Sequence, residues 1–372
     1  VGIVNNCTGC HQCVSECPLL KQIGEDPIRI ADRGPSVEEA YSCTMCGLCE
    51  AVCPASLSMK ELFAATRVKA VDSGGININD YRYLFPDRQM NVMRLYRELN
   101  GIAYDDLYPD QAASAAFFPG CTLLTYAPEL IRASFHHLSR AYKELTLITD
   151  CCGMPLHQLG LRSRGDAYIY SVTTKLQHLK VKSLITACPN CYYQLRPVLK
   201  DSEIKLMTIY ETLNRSKLCG LPEKNTGKPL VTMHDSCPDR FDGIFAGQTR
   251  KALTQKGFAL VEMEHKRRTT LCCGSGGQVT HFQPELAEEL VKSRVQEAER
   301  SGAQILASYC LGCVLNFTKI PGKPKIRHVL NLLLDLEQDF AGLKAKANQM
   351  FEGPQGIERW EKIMAEEGGS RN

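Results

Sequence analysis

A chain of 372 residues, 44% hydrophobic and 23% charged, can build two or three ordinary globular domains. Its 44 Lys and Arg stand against 41 Asp and Glu, and no arginine-rich run with interleaved aromatics occurs, so nothing predicts a nucleic-acid partner; Lys266-Arg267-Arg268 reads as a solvated loop. No stretch of about 18 apolar residues predicts a membrane span, and no charged-then-apolar leader is visible, so a cytoplasmic chain is expected that meets a membrane only through a partner.

Nineteen cysteines fall into groups of eight, five and five, with Cys219 left over in a Pro/Lys/Asn-rich loop as a spare thiol. An odd total without a leader suits metal or catalytic use better than a disulfide framework. The eight come first. Cys7-x2-Cys10-x2-Cys13-x3-Cys17-Pro18 is followed by Cys43-x2-Cys46-x2-Cys49-x3-Cys53-Pro54. This is the bacterial two-cluster ferredoxin run, in which three close thiolates wrap one cubane and the fourth reaches the other. One cluster is expected on Cys7, Cys10, Cys13 and Cys53, the other on Cys43, Cys46, Cys49 and Cys17. Zinc sites also use C-x2-C pairs, but two four-cysteine runs ending in Cys-Pro favour two [4Fe-4S] cubanes. Gly9 and Gly47 leave room for the backbone to curl around a cluster. Between the runs, Ser36 and Glu39 form a capping-box pattern that predicts a helix. Ser58 predicts another through about Val71. This long helical linker makes the module resemble the helical ferredoxin domain of fumarate reductase and succinate dehydrogenase iron–sulfur subunits.

Ser73-Gly74-Gly75 breaks that helix. The connector that follows is aromatic (Tyr81, Tyr83, Phe85, Tyr96, Tyr104, Tyr108) and predicts a helix over Asp87 to Asn100. Its expected role is packing between modules.

The remaining cysteines repeat one arrangement. Cys121, Cys151-Cys152-Gly153 and Cys188-x2-Cys191 match Cys237, Cys272-Cys273-Gly274 and Cys310-x2-Cys313, at offsets of 116 to 122 residues. A nearly constant offset means two copies of one unit. In the first copy, apolar runs at 115–118, 145–149, 183–187 and 204–210 read as strands. Helices are expected over about 128–143 and 166–180 and from Pro189. The second copy has strands near 230–233, 258–263 and 304–307 and a helix over 284–300. Strands alternating with amphipathic helices predict parallel α/β layers. The fold class is therefore α/β: an N-terminal helical ferredoxin module and two repeated parallel α/β domains. The expected divisions are 1–70, a connector 71–113, repeats at 114–225 and 226–340, and a tail 341–372. Trp360 sits in a short amphipathic helix of that tail, and its Gly-Gly-Ser-Arg-Asn end is expected to be partly disordered.

In such sheets ligands sit beyond the carboxyl ends of strands, where all three cysteine groups of each repeat fall. The helix after each Cys-x-x-Cys points its N-terminus at the site and favours thiolate. Five thiolates exceed the four that zinc or a cubane needs, which suggests an enlarged or open iron–sulfur cluster in each repeat.

Two ferredoxin runs followed by two such motifs resemble the fused catalytic subunit of heterodisulfide reductase. The likeness runs from Cys7 to Cys313. It implies two noncubane [4Fe-4S] clusters, one on Cys121, Cys151, Cys152, Cys188 and Cys191, the other on Cys237, Cys272, Cys273, Cys310 and Cys313. It implies reduction of a disulfide there, with the ferredoxin part as the wire. The same architecture occurs in electron-transfer subunits that link a flavin dehydrogenase to another carrier or a quinone. A flavin or other two-electron centre is expected on a partner, since no dinucleotide fingerprint occurs and Gly274-Ser-Gly-Gly277 lacks a phosphate-loop ending. His157 and His281 follow their Cys-Cys-Gly groups and are candidate proton donors, with His234 a third. If the repeats face each other, the two cysteine sets flank one cleft.

Overall fold

The computed structural model describes residues 2–107, 112–215, 227–322 and 324–365. Cys219, Tyr108 and the Gly-Gly-Ser-Arg-Asn end lie outside them.

The regular elements of the N-terminal module are all helices among its described residues. Ser36 caps the helix Val37–Ser42: its Oγ accepts from Glu39 N at 3.1 Å, and Glu39 Oε2 accepts from Ser36 N at 2.7 Å. Two otherwise orphaned N–H groups are thereby satisfied at the entrance to the second cysteine run. Ser58 caps the helix Met59–Asp72 in the same way through Glu61 N.

The connector helix is shorter than expected, Val92–Leu99. Asn91 is its true N-cap, with Oδ1 accepting from Met93 N and Arg94 N at 3.1 and 3.0 Å. The side chain of Asn91 thus ends the preceding turn, which apolar periodicity alone does not reveal. The aromatics do pack between modules: Phe85 shares a core with Tyr41 and Ala70 of the ferredoxin module and with Leu156 and Leu159 of the first repeat.

Two four-stranded parallel sheets follow. Strands β1 (Ala115–Phe118), β2 (Leu145–Leu147), β3 (Ser183–Thr186) and β4 (Lys205–Thr208) lie in the order β2-β1-β3-β4. Strands β5 (Val231–His234), β6 (Leu260–Val261), β7 (Ile305–Ser308) and β8 (Lys325–His328) repeat it as β6-β5-β7-β8. The helix before Cys188 starts earlier than expected, at Arg162, because its first turn is polar and carries no apolar stripe. Strand β8, Lys325–His328 with Ile326 as its one aliphatic residue, has no apolar run to betray it.

β1, β5 and β7 are buried along their whole length, as parallel strands covered on both faces must be. Ala115 and Phe117 face a core shared with Met233, Ala307 and Tyr309 of the second repeat, while Ala116 and Phe118 face the outer helices of their own. The two sheets thus turn one face toward each other, and burial of that common core fixes how their strand ends meet.

Candidate metal centres

The ferredoxin cysteines lie close together. Burial, and then the charges of Cys49, Cys53, Cys7 and Cys10, push the Cys13 thiol up to about 11. Cys17 lies instead with Cys46 and Cys49, and burial first, then Cys46, raises it to about 12. A cavity of about 220 Å³ is lined by Cys17, Cys43, Cys46 and Cys49, and also by Cys272 of the second repeat. Buried thiolates crowded in this way repel one another. The donor set therefore fits a polycationic iron–sulfur core, whose charge keeps such thiolates deprotonated together.

In both repeats the loops after the strands bring the cysteines together. Cys188 and Cys310 are the N-caps of the helices Pro189–Leu199 and Leu311–Phe317, so each Cys-x-x-Cys sits on a helix N-terminus as expected. Gly120, at φ 96°, precedes Cys121; a Cβ there would stand 2.9 Å from Cys188 Cβ and 3.1 Å from Cys191 Sγ. Only glycine allows that approach.

The thiols form a file through three parts of the chain, in which each shifts the ionisation of the next. It runs Cys46, Cys272, Cys273, Cys313, Cys310, Cys188, Cys191, Cys152, Cys151, Cys121. Cys273 and Cys313 are 3.0 Å apart, and Cys151 and Cys121 3.7 Å. Cys237 lies beside the file, its thiol raised by burial and by Cys272, Cys273 and Cys46. Hydrogen bonds from neighbouring thiols hold Cys273 down to about 5 and Cys152 down to about 6. The two repeats meet at Cys188 and Cys310, where Asn190 Nδ2 also donates to Cys310 Sγ at 3.8 Å.

Basic residues that no motif flagged hold the ferredoxin module against this file. Arg240 Nε donates to Cys46 O at 3.0 Å and its Nη2 to Thr270 O at 2.7 Å. Gly277, at φ 60°, lies so close that a Cβ would collide with Cys43 O.

At the far end, Cys121 and Cys151 border a cavity of about 670 Å³. Its other walls include Tyr83, Arg94 and Arg97 of the connector and Tyr168 and Lys175 of the first repeat; no second-repeat cysteine lines it. Lys175 is paired with Asp150 at 2.7 Å. Arg97 donates to Thr125 Oγ1 at 2.9 Å, has no carboxylate partner among the described residues, and its charge lowers the Cys121 thiol against the larger upward effects of Cys151 and burial. The connector is therefore a wall of the site as well as packing. Sequence could not reveal this, because its arginines carry no motif.

The candidate histidines lie apart from the cavity. His157 Nε2 donates to Asp166 Oδ1 at 2.9 Å, and its Nδ1 accepts from Gln194 Nε2. Both ring nitrogens are thus engaged within the first repeat. His281 Nδ1 lies 2.9 Å from the Tyr83 hydroxyl, and Tyr83 itself lines the cavity. His234 is buried behind the second cysteine set.

Comparison with known proteins agrees with this layout. A 4Fe-4S dicluster domain matches residues 3–57, and the cysteine-rich CCG domain matches twice, over 115–196 and 231–318. The chain belongs to the iron–sulfur proteins that join a dicluster module to two CCG domains. Within them it is homologous to one of the subunits of heterodisulfide reductase. That of the dihydromethanophenazine:CoB–CoM heterodisulfide reductase of Methanosarcina mazei is 25% identical over 394 residues, covering 92% of this chain and 95% of that one. One of the subunits of the fumarate reductase (CoM/CoB) of Methanothermobacter marburgensis is 25% identical over 373 residues, covering 89% and 72%. Among solved structures, glutamate racemase RacE1 of Bacillus anthracis overlaps 66% of this chain and 84% of its own at 14% identity and a TM-score of 0.35, too little to bear on fold or function. No helix among the described residues is long and apolar enough to cross a membrane.

Proposed function

We propose that this chain is the reacting subunit of an iron–sulfur reductase that cleaves a small disulfide, or a comparable two-electron acceptor, and receives its electrons through its own ferredoxin module. The observation that carries the reading is the file of neighbouring thiols from Cys46 to Cys121, ending at a cavity. Cys7, Cys10, Cys13 and Cys53 would hold one cubane and Cys17, Cys43, Cys46 and Cys49 the other. Cys121, Cys151, Cys152, Cys188 and Cys191 would hold one noncubane cluster, and Cys237, Cys272, Cys273, Cys310 and Cys313 a second. Bound there, such clusters supply single electrons.

The chain's own residues do the rest. The reaction consumes two electrons and two protons, breaks one S–S bond and leaves two thiols. The cavity admits the acceptor beside Cys121 and Cys151. Arg97 offsets the negative charge that gathers on the reacting sulfurs. The Tyr83–His281 pair offers one route for protons from the surface. Cys188 and Cys310 close the gap between repeats, so that two electrons can arrive one after the other without a diffusing carrier. A flavin or other two-electron centre on a partner protein would feed the ferredoxin module.

The test is turnover of the anaerobically reconstituted full chain, with a reduced viologen as one-electron donor and small disulfides as acceptors. Thiol release at a rate set by enzyme concentration supports the reading. Rapid cluster reduction without any disulfide cleavage refutes it, and leaves the chain a wire between a flavin dehydrogenase and another carrier or quinone.

A further inference from the structure

The two repeats share topology and cysteines but differ at one buried position beside the sulfurs. β5 ends in His234, 1% exposed, where β1 ends in Phe118. A ring nitrogen of His234 and the Sγ atoms of Cys273 and Cys313 lie within 4.8 Å of one another. Its Nδ1 accepts a hydrogen bond from Arg294 Nε at 3.1 Å. Arg294 is itself fully buried and paired with Glu297 at 2.6 Å. The edge-on ring of Phe317, 4.9 Å away, fixes the plane of the imidazole.

An arginine only donates, so Nδ1 must present its lone pair, and the proton of the neutral ring then sits on Nε2. Ligation of a metal by Nε2 needs the opposite tautomer, with Nδ1–H donating to an acceptor. Arg294 therefore makes His234 a donor and not a ligand. The first repeat has no such device. Phe118 packs there with Ala116, Ile148 and Val172, and Val172 occupies the place in its helix that Arg294 occupies in the matching one.

We propose that His234 is a positioning residue that aims Nε2–H at the sulfurs of Cys273 and Cys313, and so raises the reduction potential of the cluster in the second set above that in the first. An N–H directed at a sulfur ligand favours the more negative, reduced state of a cluster. The proposal rests on the reading that each five-cysteine set holds iron. The two sets are then unequal by construction: electrons from the ferredoxin module rest on the second set, and their step on to the first set is uphill and is drawn forward only when an acceptor in the cavity consumes them.

The experiment is an EPR-monitored redox titration of the full reconstituted chain, with iron content measured beside it. The signal of the second set is identified as the one lost in Cys273→Ser. His234→Asn keeps an acceptor for Arg294 but is too short to reach the sulfurs; His234→Gln reaches them with an N–H. The second-set signal should move to lower potential in His234→Asn and His234→Phe and return toward native in His234→Gln, with the first-set signal unmoved. Native iron content with unshifted potential in His234→Asn overturns the proposal alone. Native protein without iron in the second set overturns both the proposal and the reading beneath it.

Discussion

Arg67 should be the residue whose loss most weakens the docking of the ferredoxin module. Its side chain is wholly buried, over the ring of Tyr41 at 4.8 Å, with no carboxylate partner among the described residues. Nε donates to Ala40 O at 2.9 Å and Nη2 to Cys43 O at 2.6 Å, both within the module. Nη1 donates to Gln158 O of the first repeat at 2.5 Å and to Gly277 O of the second at 2.8 Å. One guanidinium thus ties all three parts together beside Cys43. Burial pulls its pKa from 12.5 down to about 10, a cost of about 3 kcal/mol at roughly 1.4 kcal/mol per unit. Four charge-assisted bonds at about 1.5–2 kcal/mol each outweigh that. Arg67→Met therefore should destabilise the native chain by about 3–5 kcal/mol, much of it from carbonyls left without donors. Urea unfolding of the reconstituted chain measures the loss. Stopped-flow reduction gives a second readout: the cubanes should reduce at the native rate and the repeat clusters more slowly. An unchanged midpoint together with an unchanged second phase would refute the reasoning.

Three further outcomes are expected. Cys152→Ser and Cys273→Ser should each remove iron from their own set and abolish disulfide reduction while leaving the ferredoxin signals; full activity in an iron-replete variant contradicts the paired sets. Met93→Trp, which fills the cavity beside Cys121 without touching a cysteine, should lower kcat/KM for a disulfide at least about tenfold, a loss of roughly 1.4 kcal/mol, with native iron content; an unchanged value would place the acceptor elsewhere. His328 is fully buried, and burial holds its pKa down to about 4. The unfolded chain binds its proton near pH 6.5, so the stability this group confers is whole above that pH and is lost as pH falls toward 4. His328→Asn should flatten the acid limb of stability by up to about 3 kcal/mol; parallel limbs for native and variant would count against it.

The local chemistry of this protein is written in its sequence. Cysteine spacing marks the ferredoxin runs, because a cluster's size dictates how far apart its ligands may stand along a loop. The doubled cysteine pattern and the strand–helix alternation mark two parallel α/β units, because side-chain periodicity follows from backbone geometry. Ser36 and Glu39 announce a helix for the same local reason. What the spacing leaves open is how the three parts meet. That Cys46 lies by Cys272, and Cys188 by Cys310, follows from the core that Phe117 shares with Met233 and Tyr309, and from Arg67 and Arg240 reaching backbone carbonyls far away in the chain. Where the larger cavity lies follows for the same reason: it is lined by Cys121 and Cys151 of the first set, against a connector that looked like packing. Arg97, Arg294 and Tyr83 carry no motif. Their roles arise from burial and from contacts across the fold, and those are set by how the layers pack.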